Sequence, residues 1–283
     1  MAASQARIAA RQLSNGLFVG FCFFVTGIAL IALTAILWSL VVKGVGGLNL
    51  DVFTMSTPAP GSRGGLLNAI VGSLMLCLMG MIICVTIGVL AGTWLAEFAG
   101  ESRYGSMVRF LNDVLLSTPS ILIGMFVWYL LVRPFHGFSG FAGGIALAIV
   151  ASPVITRTTE EVLRLQPISL RESGIALGAP LWHVIRQILW RGAGSGMLTG
   201  ALLAFARISG ETAPLLFTAL NNQFYSLDMT KAMANLPSVI NQFALSAQDN
   251  WIRLAWVAAL LITVSVLAVT IIARAVSGEP RRS

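Results

Sequence analysis

A pair of opposite charges interrupts a long apolar segment in the second half of this chain. The segment contains the sequence Ala206-Arg207-Ile208-Ser209-Gly210-Glu211-Thr212-Ala213-Pro214, with no other charge between Gly192 and Leu220. A charge at the centre of a bilayer costs roughly 2.5–3.5 kcal/mol on insertion scales, so such residues usually have a function. Arg207 and Glu211 are four residues apart, which on a helix places them on one face, able to pair and to face a shared cavity. The alternative interpretation is a structural ion pair inside a helix bundle.

The composition of the whole chain indicates a membrane protein. Hydrophobic residues make up 57% of it and charged residues 10%, with a mean hydropathy of +0.85. Ordinary soluble domains contain about 25% charged residues, and a membrane-spanning helix needs about 20 apolar residues. We therefore predict an all-α integral membrane protein with about six transmembrane helices. Their expected positions are Leu17–Val42, Leu66–Ala96, Phe110–Val132, Gly140–Thr156, Ala193–Ala219 and Leu254–Ala273.

The Lys and Arg residues predict the orientation of these spans. With the N-terminus inside, twelve of the eighteen fall in cytoplasmic segments, five in external segments, and Arg207 lies within the membrane. Cytoplasmic segments of membrane proteins are the richer in Lys and Arg, so we predict that both termini are cytoplasmic. The net charge of +7 reflects this topology and gives no support to nucleic-acid binding.

The first apolar segment is predicted to be a retained helix, because its 26 residues exceed the roughly 7–15 apolar residues of a secretory signal. The three cysteines, Cys22, Cys77 and Cys84, lie in apolar segments and indicate free buried thiols, not a disulfide or metal framework.

Small residues and prolines mark the predicted spans. Gly72, Gly80, Gly88 and Gly92 recur at multiples of four in the second span, which favours close helix packing, although membrane helices are rich in glycine in general. Thr118-Pro119-Ser120 and Ser152-Pro153 predict kinks, which line a pathway in some membrane proteins and are ordinary packing kinks in others.

The longest cytoplasmic segment, residues 157–191, predicts a helical hairpin. Ser169 and Glu172 match a capping box, so a short helix should start near Leu170. Gly178 is placed to end it, and Pro180 is favoured in the first turn of the next helix. The hairpin could rest on lipid or dock a cytoplasmic partner.

The hairpin carries a family resemblance. Glu172-Ser173-Gly174, followed by Gly178 and Ile188, resembles the EAA signature (Glu-Ala-Ala, three residues, Gly, nine residues, Ile) of bacterial ABC-importer permeases. The chain departs from this signature in having Ser173 and Gly174 for the two alanines, and Trp190 and Arg191 for the final Leu-Pro.

Three further stretches are similar to the A-type permease subunit of the phosphate-specific (Pst) importer, and the similarity runs from about Leu66 to Ala273. They are Thr118-Pro119-Ser120-Ile121, Pro153-Val154-Ile155-Thr156-Arg157-Thr158-Thr159-Glu160-Glu161, and Ala206-Arg207-Ile208-Ser209-Gly210-Glu211-Thr212-Ala213-Pro214-Leu215-Leu216-Phe217-Thr218-Ala219.

The resemblance implies a translocation subunit and not a catalyst. Such a subunit pairs with a homologous C-type permease, docks two cytoplasmic ATPase subunits that carry ATP and Mg²⁺, and receives phosphate from an external binding protein. This chain has no phosphate-binding Gly-x-x-x-x-Gly-Lys-Ser/Thr loop and should bind no cofactor itself. The implied substrate path contains Arg207, Ser209, Glu211 and Thr212. The implied ATPase coupling loop contains Ser169, Arg171, Glu172, Gly174, Gly178 and Ile188.

The implied location is the bacterial inner membrane, in contact with lipid. The expected organisation is a cytoplasmic tail (1–16), a first transmembrane helix with an external loop (17–65), a permease core (66–276) that includes the coupling loop, and a cytoplasmic tail (277–283).

Three alternatives remain at this stage. An importer for sulfate, molybdate or phosphonate would share most of these features. An ion-coupled secondary transporter should show two related halves, and none is evident. A membrane enzyme acting on lipid phosphates would need a polar catalytic cluster, and the residues flanking the spans assemble no recognisable one.

Overall fold

The computed structural model describes residues 2–276, and every regular element in that range is helical. The all-α prediction is therefore confirmed, while the predicted tail 277–283 lies outside the described residues. The helices are α1 Ala2–Gly46, α2 Asp51–Thr54, α3 Leu67–Glu97, α4 Arg103–Ser117, α5 Ser120–Val127, α6 Gly140–Arg164, α7 Ile168–Ala176, α8 Leu181–Val184, α9 Trp190–Gly192, α10 Gly194–Ser209, α11 Ala213–Thr218, α12 Leu236–Ala244 and α13 Asp249–Val276. Two π-helical turns, Trp128–Val132 and Ile185–Leu189, follow α5 and α8.

Four helices of the described chain are long and apolar enough to cross a membrane, namely α1, α3, α6 and α13. The pair α4 and α5 supplies a fifth crossing if it counts as one span, with a bend of 104° between its two helices. This bend falls at Thr118-Pro119, where the sequence predicted a kink, because proline cannot donate the hydrogen bond that would continue the helix. The prediction of one continuous span from Ala193 to Ala219 is wrong, since the chain leaves the helix after Ser209.

The centre of the bundle is the pairing of α3 with α6, and the α3 glycines make it possible. A side-chain carbon on Gly88 would lie 2.7 Å from Cβ of Ile155, and one on Gly92 would lie 2.5 Å from the carbonyl oxygen of Thr156. At Gly80 the contact is looser, with Cβ of Leu147 on α6 at 3.1 Å from such a carbon. The glycine repeat therefore marks a helix contact, as small residues do in membrane proteins.

Proline 153 lies inside α6 without ending the helix. Because it has no N–H, it leaves the carbonyl of Ile149 without its usual helical partner. The hydroxyl of Ser152 donates to that carbonyl at 3.4 Å, and the amide of Asn112 on α4 donates to the carbonyl of Pro153 at 3.2 Å. Neighbouring polar side chains thus supply hydrogen bonds to backbone carbonyls where the proline interrupts the helix.

Helix α1 lies at the edge of the bundle and packs on α13. Side-chain atoms of Leu260 and Val257 would crowd a Cβ on Gly44 and on Gly47, and the Lys43 ammonium lies 4.8 Å from the centre of the Trp256 ring. None of the residues in its most apolar 18-residue window is buried within the chain. This helix therefore presents its apolar surface outward.

Two ends of the bundle differ in character. The hairpin end carries residues 165–192, and the loop end carries residues 220–235 with the segment 47–66. At the loop end, the amide of Asn68 on α3 donates to the carbonyl of Asn222 at 2.8 Å, and the hydroxyl of Ser73 accepts from the backbone of Leu236 at 2.7 Å. Helix α3 thus spans the distance between the two ends.

Candidate functional site

The charged pair lies beside a break in the helix. Helix α10 ends at Ser209, and α11 begins at Ala213 after three non-helical residues. Gly210 favours this end, because glycine weakens a helix, and Pro214 in the first turn of α11 needs no hydrogen-bond acceptor for its nitrogen. The sequence contained both signals, but the length of the apolar run outweighed them in the prediction of a continuous span.

Arg207 and Glu211 do pair, although not on one helical face as the sequence predicted. Glu211 follows the end of α10, and the turn brings its Oε1 to 3.5 Å from Nε of Arg207. Strong arginine–carboxylate contacts are about 2.7–2.9 Å long, so this one is loose. The side chains keep 33% and 16% of their surface exposed, which leaves the guanidinium accessible at the surface of the chain.

The pair lies near mid-height of the bundle. Ile208, the neighbour of Arg207, comes within 3.6 Å of where a Cβ on Gly80 would stand, and Gly80 is near the middle of α3. Both charges are therefore remote from the two polar ends of the bundle. Charged side chains at this depth need protein or water around them.

Ser209 and Thr212 flank the break in different ways. The Ser209 hydroxyl donates to the carbonyl of Phe205 at 2.7 Å within the last turn of α10. Thr212 is half-buried at the N-cap of α11, where its side chain makes no capping hydrogen bond. Helix α11 packs on α5, and Pro214 lies so close to Gly124 that an added Cβ would be 2.6 Å from it. The two broken spans of the bundle are thus in direct contact.

At the hairpin end the two predicted short helices are present, joined at Gly178. Gly178 has a φ of +79°, a left-handed conformation that favours glycine, and its N–H donates to the carbonyl of Ile175 at 2.9 Å. Gly174 is buried against Val184 and Ile188 of the second arm. The hairpin of the sequence analysis is therefore confirmed as a structure.

The predicted capping box is wrong. Helix α7 begins at Ile168 with Pro167 at its N-cap, so Ser169 already has helical backbone and cannot cap the helix. Glu172 is exposed, and Pro180 is the N-cap of α8, one residue before its predicted place in the first turn. The fixed φ of Pro167 starts the helix earlier than the Ser-x-x-Glu pattern suggested.

The outer surface of the hairpin is apolar. Four large side chains there are exposed by more than 60% of their surface, namely Leu165, Ile168, Leu177 and Trp182. Soluble surfaces rarely gather several such residues, so this one indicates a contact with a partner or with lipid.

The inner surface of the hairpin carries Arg171, which bonds to the end of α3. Its Nε and Nη2 donate to the two carboxylate oxygens of Glu97 at 2.8 and 2.7 Å, and these bonds raise the pKa of Arg171 above its ordinary value. Sequence reasoning missed Glu97. The available signal was an acidic residue at the end of an apolar span, which calls for a basic partner but does not identify which arginine supplies it.

A second cluster of charges lies at the hairpin end between α4 and α6, around a cleft of about 220 Å³. Glu160 is its buried member and accepts from Arg109 at 2.7 Å and from Arg164 at 2.9 Å. Arg109 also donates to the carbonyl of Leu95, which ties α4 to α3. The exposed members of the cluster are Asp113, Arg157 and Glu161.

The three cysteines form no disulfide, and Cys84 is buried and Cys77 half-buried, whereas the prediction of a buried thiol is wrong for Cys22, which is exposed. In the described part of the chain, no group of three His, Cys, Asp or Glu side chains could hold a metal ion.

Comparison with known proteins gives consistent matches. Residues 85–281 match the family model described as "Binding-protein-dependent transport system inner membrane component". A "Phosphate transport system permease protein PstA" of Haemophilus influenzae is 52% identical over 93% of this chain and 94% of its own length. The protein of the same name from Yersinia pestis is 49% identical over 87% and 84%, and a "Probable phosphate transport system permease protein PstA" of Methanocaldococcus jannaschii is 34% identical over 92% of each chain.

The fold also matches solved structures. The inward-facing MetNI methionine ABC transporter contains a chain that superposes with a TM-score of 0.61 at 17% identity, covering 74% of this chain and 94% of that one. At this identity the match concerns the fold alone.

Proposed function

Because the chain belongs to the family of binding-protein-dependent transport system inner membrane components, we propose that it is the A-type permease subunit of an ATP-driven importer of inorganic phosphate. Members of this family are multi-pass inner membrane proteins and not enzymes, and ATP is hydrolysed by a separate subunit. The observation that carries the proposal is the partly exposed side chain of Arg207 at mid-height, beside a broken helix. The names of the relatives that match over nearly the whole chain support phosphate as the anion.

Arg207 suits an oxyanion that passes through the membrane. Its planar fork of donors matches two phosphate oxygens, and the loose 3.5 Å contact with Glu211 leaves donors free for an incoming anion. Glu211 then holds the guanidinium oriented without saturating it. Thr212 at the break and the hydroxyl oxygen of Ser209 add polar atoms to the same path.

A partner permease should complete the path. Arg207 and Glu211 are partly exposed on this chain, and lipid cannot solvate them at this depth. The neighbouring exposed residues of α10 and its end, Leu203, Ala206 and Gly210, are uncharged, so a second protein can approach closely. The C-type permease of the same importer is the partner we propose, in a heterodimer.

The hairpin is proposed as the coupling loop for one of two ATPase subunits. Its exposed apolar face, with Leu165, Ile168 and Leu177, is the docking surface, and Gly174, Gly178 and Ile188 fix the shape beneath it. Ser169, Arg171 and Glu172 lie on α7, the first arm of the hairpin. An external phosphate-binding protein would deliver the anion at the loop end.

Phosphate uptake tests the proposed function. We expect cells without other phosphate importers to take up radiolabelled phosphate when this chain is produced with its partner permease, ATPase and binding protein, and to fail without it. An excess of unlabelled sulfate, molybdate or phosphonate should leave uptake unchanged, whereas unlabelled phosphate should abolish it. Competition by one of the other oxyanions would transfer the assignment to that anion.

Labelling of single cysteines tests the proposed orientation, with both termini cytoplasmic. In a variant without Cys22, Cys77 and Cys84, we expect Ser62→Cys at the loop end to react with an impermeant thiol reagent applied to intact cells. Ser173→Cys on the hairpin should react only after the cells are opened. Both serines are exposed, so accessibility does not bias the comparison. The reverse pattern would place the hairpin outside and remove the docking proposal.

A further inference from the structure

We propose that Glu97 and Arg171 form a clasp that makes the hairpin and α3 move as one body, so that movement of the ATPase reaches the translocation path through α3. Both are positioning residues, and neither contacts the anion. The inference rests on the proposed function, because it assigns the hairpin to an ATPase.

The clasp is built from four hydrogen bonds of one side chain. Besides its two bonds to Glu97, Arg171 donates from Nη1 to the carbonyl of Gln166 at 2.9 Å and from Nη2 to the carbonyl of Leu163 at 2.8 Å. It therefore fastens α7 to α3 and to the end of α6 at the same time. A guanidinium that donates both to a carboxylate and to backbone carbonyls has one fixed orientation, unlike a side chain held by a single hydrogen bond.

Burial separates this ion pair from the others. Its side chains keep 19% and 4% of their surface exposed, the lowest values among the ion pairs of the described residues. The pair Arg157–Glu161 at the same end keeps 56% and 61% exposed. Exposed pairs contribute little rigidity, whereas a buried pair that loses one partner leaves an uncompensated charge.

A second bond ties the other arm of the hairpin to the same turn of α3. The indole Nε1 of Trp190 donates to the hydroxyl of the buried Thr93 at 3.1 Å. Thr93 and Glu97 are four residues apart on α3, so both arms of the hairpin are hydrogen-bonded to one face of its last turn. Two attachment points prevent the hairpin from pivoting about either one.

Helix α3 then carries the movement to the path. Gly80, near its middle, lies against Leu147 and Ile208, next to Arg207. Its far end is bonded to the loop end through Asn68 and Ser73. A displacement of the hairpin that moves α3 must therefore also act on the mid-height site and on the external loop.

The first measurement is the number of ATP molecules hydrolysed per phosphate transported by the purified complex in vesicles. Glu97→Gln removes the charge but keeps the size of the side chain, and we expect that ratio to rise about tenfold while the complex stays assembled. Asp51→Asn is the matched control, since Asp51 pairs with the exposed Arg63 at 2.9 Å at the other end. It should leave the ratio unchanged.

The second measurement follows the movement itself. Spin labels on Ala176 of the hairpin and Leu90 of α3, both exposed, report the distance between the two elements with and without bound ATP. In the otherwise unaltered complex this distance should stay constant, and in Glu97→Gln it should change on ATP binding. A distance that changes without the substitution, or that stays constant with it, would overturn the clasp.

A substitute variant and a separate criterion cover the cases in which the first measurement fails. If Glu97→Gln does not assemble, Arg171→Lys, which keeps the charge but loses the fork, takes its place under the same criteria. If the unaltered complex transports no phosphate, the proposed function fails while the label distances, which need only ATP and the docked ATPase, still decide the clasp.

Discussion

Replacing Arg207 with glutamine should lower phosphate uptake about 100-fold while the complex still assembles. A hydrogen bond to a charged group contributes about 1.5–3 kcal/mol, so the loss of two to the passing anion exceeds about 3 kcal/mol, and ~1.4 kcal/mol is a factor of ten. Assembly should survive because Glu211 is the only ion-pair partner of Arg207 among the described residues, at a distance of 3.5 Å. Arg207→Lys should keep part of the uptake, since a point charge replaces the fork.

The double variant Arg207→Gln with Glu211→Gln separates the two interpretations of the pair. A purely structural pair could be replaced by two neutral side chains with little loss, so uptake should recover. A guanidinium that contacts the anion cannot be replaced, so uptake should stay at the level of the single variant. Arg63→Gln, which removes an exposed arginine at the loop end, should not reduce uptake. The measurement is radiolabelled phosphate uptake per amount of intact complex. Normal uptake by the double variant would show that the pair only stabilises the packing of the bundle.

Local patterns predicted the hairpin well and the mid-membrane break poorly. Gly178 needs a left-handed backbone that few other residues adopt, so its place at the turn follows from the residue itself. The end of α10 depends on a balance between the length of an apolar run and the weak signals of Gly210 and Pro214. Hydropathy alone cannot resolve that balance, because apolar residues continue on both sides of the break.

Contacts between distant segments were the features that the sequence could not supply. Glu97 and Arg171 are 74 positions apart, and nothing in the sequence around either residue identifies the other as its partner. The capping box at Ser169 failed for a different, local reason, since Pro167 two residues earlier imposed an earlier start on the same helix. The α3 glycines were compatible with close packing or with ordinary membrane composition, and the structure shows that Gly80, Gly88 and Gly92 lie against α6 and Gly72 against the backbone of Ala234.

Gly92→Val should remove most of the protein from the membrane. The new Cβ would stand 2.5 Å from the carbonyl oxygen of Thr156 and 2.7 Å from Cβ of Thr159. The first obstacle is the backbone of α6, which cannot rotate away, so α3 and α6 would have to separate at this contact near the hairpin end. Overpacking lowers the free energy of unfolding by about 1–3 kcal/mol even where side chains can rearrange. Because the obstacle here is backbone, we expect a loss of about 3 kcal/mol or more.

The matched control is Gly27→Val in α1, where a Cβ would meet no atom within 4 Å. It makes the same substitution in a membrane helix and should leave the protein amount unchanged. We would measure the immunoblot signal in membranes and the fraction of complex that survives heating in detergent. Equal values for the two variants would show that the glycine repeat reflects membrane composition and not the α3–α6 contact. A loss confined to Gly92→Val would show that this contact, which also holds the turn bearing Glu97 in place, determines the stability of the bundle.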